Sequence, residues 1–172
     1  QFPNQFEPGA NAQRYLDALA DTLRGYPVVA EFRHGDWQKR QYVKAVRELG
    51  FGWCNPDMPA LPELLEPRAE ITSDVGYVRF HGRNAATWRS GDNVTRYHYE
   101  YQRDDINAWV RNLLKLAEQT RETFVFFNNH AEAGAVRGAR LLVEILHEVL
   151  GDGYESSVHE VESAAPVQES LF

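Results

Sequence analysis

Ionisable and amide side chains collect at the ends of apolar runs in this 172-residue chain. "VVAEFRHGDW" puts Glu31 and Arg33 two residues apart, hence on one side of an extended strand, with His34, Asp36 and Trp37 just beyond. "YVRFHGR" repeats the device: Arg79 and His81 share a face, Gly82 permits a sharp turn, and Arg83 follows. Asn55 and Asp57 come after "GFGWC", and "FVFFNNH" ends on Asn128, Asn129 and His130. Arginines in such places want a carboxylate or a phosphate, because an unpaired buried charge is strongly disfavoured. Arg33, Arg79 and Arg83 are therefore candidate phosphate contacts, with Trp37, Tyr97, Tyr99, Asn128 and Asn129 as further substrate contacts. Glu31, His34, Asp57, His81 and His130 are the candidates for chemistry, as proton carriers or as ligands to a divalent metal such as Zn²⁺ or Mn²⁺.

Each cluster also has a plainer reading. Glu31 and Arg33 can simply close a barrel mouth as an ion pair, and Glu31 can be the partner that Arg79 needs. No HExxH or comparable local spacing supports the metal, and a metal-free acid/base pair of Asp57 with His81 serves equally. Residues 81–102 form a connection longer than usual, a candidate lid. Its Tyr97, Tyr99 and Tyr101 alternate with other residues, as in a stacking platform for bases or sugars, or as in a segment packed on a rim.

The elements that must position these groups are four nearly continuous apolar runs, expected as strands at 26–32, 50–54, 75–80 and 123–127. Such runs fit a parallel sheet covered on both faces. Helical periodicity is expected over Asn11 to Arg24, Trp37 to Leu49, from an Asp104 cap through Ala117, and from about Ala133 to Leu150. The proline-punctuated "NPDMPALPELLEPRAE" holds at most a turn of helix. Alternating strands and helices mean an open doubly wound sheet or a closed (β/α)₈ barrel. No glycine-rich phosphate loop follows the first strand, which disfavours the nucleotide-binding open sheet. Polar groups after successive strands would converge on one face of a TIM-type barrel. A full barrel needs ~250 residues, so this chain, with its start lacking Met, is expected to carry roughly the C-terminal half over 1–150.

A net charge of −7 excludes coating of nucleic acid by bulk attraction and leaves room only for local contact. One cysteine, Cys54, excludes an intrachain disulfide and fits a reducing compartment, the cytoplasm. No apolar run approaches the ~20 residues that a membrane helix needs.

With "EFRHGDW", "YVRFHGRNAATW", "YHYEY" and "FVFFNNHAEAGAVRGA" in order, the chain resembles the YecE-like family, domain of unknown function 72, from its start to about Leu150. The resemblance implies a (β/α)₈-type barrel with these residues at its mouth and brings no established reaction. A hydrolase or nuclease-like enzyme on a phosphorylated or nucleic-acid substrate is the leading expectation. A non-catalytic anion- or partner-binding module and a sugar-phosphate isomerase or epimerase are the alternatives. Residues 151–172 are expected to be a disordered acidic tail ending in "QESLF". There Gln168, Ser170, Leu171 and Phe172 resemble a bacterial sliding-clamp-binding peptide, an apolar plug on a flexible tether; the plain alternative is that Leu171 and Phe172 fold back onto the barrel.

Overall fold

The computed structural model describes residues 1–90, 92–129 and 131–151. Four strands, β1 (Val29–Ala30), β2 (Gly52–Asp57), β3 (Val75–Phe80) and β4 (Glu122–Phe127), pair in parallel and in chain order. Between them run α1 (Ala10–Thr22), ahead of β1, then α2 (Arg40–Glu48), α3 (Asn93–Arg96) and α4 (Arg103–Gln119), with α5 (Gly134–Leu150) after β4. The proline-punctuated piece between β2 and β3 holds no helix, as expected.

Register assigns the faces. Cys54, Tyr77 and Phe124 lie side by side in one row, and Pro56, Arg79 and Phe126 in the next. Because side chains alternate along a strand, the rows between them, Asn55–Val78–Val125 and Asp57–Phe80–Phe127, point the other way. That second face meets the helices: Phe80 stands 5.5 Å from the Trp109 ring of α4, and Gly138 of α5 comes so close to Phe127 that a Cβ would sit 2.7 Å from its ring. A second part of the same layer joins Leu16 of α1 and Val43 and Val46 of α2 to Phe32 and Trp53.

The first face carries no helix among the described residues. Phe124 and Phe126 are 42% and 46% exposed there, beside Tyr77. The sequence led us to expect cover on both faces, and the described residues supply it on one. The expected barrel appears here as an α/β fold built on a parallel sheet of four strands with β1 and β4 at its edges.

The elements depart from expectation at four points. β2 begins at Gly52 and runs to Asp57, later than expected, so Asn55 and Asp57 lie inside the strand and not beyond it. The expected 26–32 strand pairs over only Val29–Ala30, although the Phe2 N–H donates to the Glu31 carbonyl at 2.9 Å on its other side. The helix expected from Trp37 opens as a 3₁₀ turn (Gly35–Gln38) before α2. The helix expected to be capped by Asp104 is capped by Gln102, with Asp105 returning a bond to the Gln102 N–H.

Candidate functional site

Extended backbone beyond β1 aims Glu31 and Arg33 toward the open face, and β3 sends Arg79 and His81 to meet them. Glu31 Oε2 accepts from Arg79 at 2.5 Å, Oε1 contacts His81 Nε2 at 2.9 Å, and Arg33 Nε stands 3.6 Å from Oε1. Arg33 Nε is buried and has no hydrogen-bond partner. Asn128, just past β4, brings its Nδ2 to 3.4 Å from His81 Nδ1. Cys54 Sγ lies 3.7 Å from Glu31 Oε2.

The electrostatics follow from this packing. Burial alone would raise the Glu31 carboxyl, but the hydrogen bond and charge of His81, with Arg79, hold it down at about 2. Burial pushes His81 down, more than Glu31 lifts it, and Arg33 and Arg79 push the same way. We therefore take Glu31 as ionised and His81 as neutral near pH 7. A carboxylate can only accept, so Nε2 of His81 carries the proton and Nδ1 presents its lone pair. Burial, and then the Glu31 charge, pushes the Cys54 thiol far up, so Cys54 is an inert neighbour.

A second cluster lies on the helix side of the sheet. Asp57, fully buried, takes Arg83 Nε at 2.9 and 3.1 Å and Nη2 at 2.7 Å, Tyr101 Oη at 2.6 Å and Trp109 Nε1 at 2.5 Å. Arg83 also pairs with Asp105 at 2.8 Å, and the Tyr99 hydroxyl donates to Asp105 at 3.0 Å.

The expected residues thus divide. Glu31, Arg33, Arg79, His81 and Asn128 come together. Asp57 and Arg83, expected as acid/base and phosphate contact, pair with each other behind the sheet, so an Asp57–His81 proton-transfer pair is ruled out by the facing of their side chains. Trp37 is 1% exposed, stacks 4.1 Å from Phe32 and donates to the Phe6 carbonyl at 2.7 Å, which makes it core and not a substrate contact. His34 accepts the Asp36 N–H at 3.3 Å and lies near Glu7, away from the Glu31 group. Asn129 is buried and donates to the Tyr99 carbonyl at 2.8 Å, anchoring the long connection.

The alternating tyrosines form no open platform. Tyr97 is buried with its ring 5.8 Å from His81, Trp88 closes over the same imidazole at 6.5 Å, and Tyr99 and Tyr101 turn into the Asp57 cluster. Trp88 and Tyr97 of the long connection thus roof His81. His130 and Gln168, Ser170, Leu171 and Phe172 lie outside the described residues. Among the described residues no three His, Cys, Asp or Glu side chains gather to hold a metal; of the expected ligands, Glu31 and His81 meet on the open face and Asp57 lies behind the sheet. Sequence reasoning missed the Asp57 partners Tyr101 and Trp109. The i, i+4 spacing of Asp105 and Trp109 on one side of α4 was the available signal.

Residues 1–159 match the family described as a protein of unknown function, DUF72. The UPF0759 protein YunF of Bacillus subtilis (strain 168) is 28% identical over a 159-residue alignment that covers 85% of this chain and 56% of that protein. A crystal structure of a DUF72 family protein from Thermotoga maritima MSB8 superposes with a TM-score of 0.81 at 31% identity, covering 86% of this chain and 56% of that one. Another, from Enterococcus faecalis V583, gives 0.77 at 26% identity, covering 90% and 58%. The chain spans little more than half the length of these relatives.

Proposed function

This chain belongs to the DUF72 family, and from that premise we propose that the open sheet face around Glu31 and His81 is the active site of an enzyme acting on a phosphorylated or nucleic-acid substrate. Arg33 and Arg79 take the phosphate. Neutral His81, oriented by Glu31, receives and returns a proton through Nδ1, from which Asn128 must swing aside. The observation that carries this reading is the Arg33 guanidinium: two arginines face one carboxylate, and the buried Nε of Arg33 has no acceptor. An anionic oxygen supplies that acceptor and balances the surplus charge.

The same reading treats the open rows Cys54–Tyr77–Phe124 and Pro56–Arg79–Phe126 as the interior of a (β/α)₈ barrel of which this chain supplies roughly half. Support comes from their exposed rings and from relatives whose length this chain covers to 56–58%. The "QESLF" ending serves as a tether to a sliding clamp, bringing the site to DNA.

The test is turnover of single- and double-stranded DNA and of small phosphosugars by wild type, Glu31→Gln, His81→Ala and Arg79→Met. We expect loss of turnover in the first two variants and phosphate-ester binding weakened about tenfold or more in the third. Unchanged turnover in Glu31→Gln and His81→Ala overturns the site, and turnover of phosphosugars alone moves the reading to an isomerase. Removing residues 168–172 should abolish retention on immobilised clamp; full retention removes the tether from the reading.

A further inference from the structure

We propose that Tyr101, backed by Asp57, is the positioning residue for His81. The proposal rests on the reading of His81 as the proton carrier, but it is argued from bonds that need no substrate. Three successive residues after β3 are tied to one aspartate. The His81 N–H donates to the Asp57 carbonyl at 3.0 Å. The Gly82 N–H donates to Tyr101 Oη at 2.8 Å, and that hydroxyl donates to Asp57 Oδ1 at 2.6 Å. Arg83 grips the same carboxylate with two nitrogens.

Gly82 is where the chain turns, with φ at +91°, and a Cβ there would meet the Tyr99 Cβ at 2.8 Å. The direction in which His81 leaves the strand therefore depends on a turn whose backbone is held at His81 by the Asp57 carbonyl and at Gly82 by the Tyr101 hydroxyl. Asp57 itself cannot touch a ligand on the open face, since it lies in the row that faces α4. Its influence on chemistry passes through the 81–83 backbone. Among the described residues, the charged and titratable groups that face the imidazole are Glu31, Arg33, Arg79 and Tyr97, and none of them belongs to this tie.

Plain adhesion of α4 to the sheet would use the same aspartate, so the test must separate the two roles. Trp109→Phe removes the α4 bond to Asp57 and leaves Tyr101 and Gly82 in place; Tyr101→Phe does the reverse. The readout is the ¹⁵N spectrum and titration of the His81 ring in the ligand-free full chain, assigned with His81→Gln. Wild type is expected to show one neutral tautomer protonated at Nε2. Tyr101→Phe should lose the single-tautomer spectrum and move the titration toward that of ordinary histidine, whereas Trp109→Phe should lower the melting temperature with the His81 spectrum unchanged. A folded Tyr101→Phe protein with the wild-type spectrum, or an equal change in Trp109→Phe, overturns the proposal. Amide exchange in wild type gives an independent reading should Tyr101→Phe not fold. The Gly82 N–H should exchange as slowly as those of β3, and fast exchange overturns the tie. Because no ligand is present, absence of phosphate binding at Arg33 and Arg79 would fail the proposed function without touching this result.

Discussion

Protonating either member of the Glu31–His81 pair disturbs a buried bond of the folded state. The folded Glu31 carboxyl is depressed from 4.5 to about 2, so its stabilisation is full above the unfolded value and fades as pH falls from 4.5 toward 2. That is on the order of 3 kcal/mol. His81 is a base whose folded value is also depressed, below 6.5. The unfolded chain therefore takes up its proton first, and stability declines as pH falls through 6.5. Melting temperature should then drop in two steps with acid, and His81→Gln should remove the upper step and shrink the lower, because His81 is the leading cause of the Glu31 depression. Calorimetry of both proteins from about pH 8 downward checks this, and equal slopes near pH 6.5 would refute the assignment of the step to His81. At this scale the two-residue spacings of Glu31 with Arg33 and of Arg79 with His81 were legible, because strand alternation alone places them together. The role of Asp57 was not: a shift in where β2 ends, from Cys54 to Asp57, changes it from a rim residue to one buried under α4.

Elements locate the site through the close approach of one helix to the sheet. α5 approaches β4 only because Gly138 leaves room for the Phe127 ring, which in turn stacks on Phe80 at 4.5 Å. Gly138→Ala would raise helix propensity, worth up to about 1 kcal/mol, yet it places a methyl group 2.7 Å from that ring. The ring cannot retreat into Phe80, so overpacking wins, and we expect a net loss of roughly 1–3 kcal/mol, measured by urea unfolding. A variant as stable as wild type would mean that α5 can slide. Here the sequence was a good guide: apolar runs gave β3 over the same residues and β4 to within one. Only two residues of the first run pair, since a strand edge needs neighbours in register and β2 begins at Gly52 opposite Val29. No pattern in a single segment encodes that.

For the molecule as a whole, the unshared face of the sheet is the controlling fact. Tyr77, Phe124 and Phe126 present aromatic surface beside an arginine–glutamate pair, and a net charge of −7 is the main counterweight to self-association. Replacing Phe124 and Phe126 together by serine should lower self-association of this chain in light scattering, strongest at high salt where repulsion is screened, with little change in melting temperature. Unchanged scattering would locate the sticky surface elsewhere. No helix among the described residues is long and apolar enough to cross a membrane. The tie at Asp57 also has a bearing on ancestry. One carboxylate holds the turn after β3, the end of the 81–102 segment and α4, so losing Arg83 strands a buried charge and losing Tyr101 or Trp109 takes a hydrogen bond from it. Positions 57, 83, 101 and 109 should consequently be inherited as a block, drifting together or not at all.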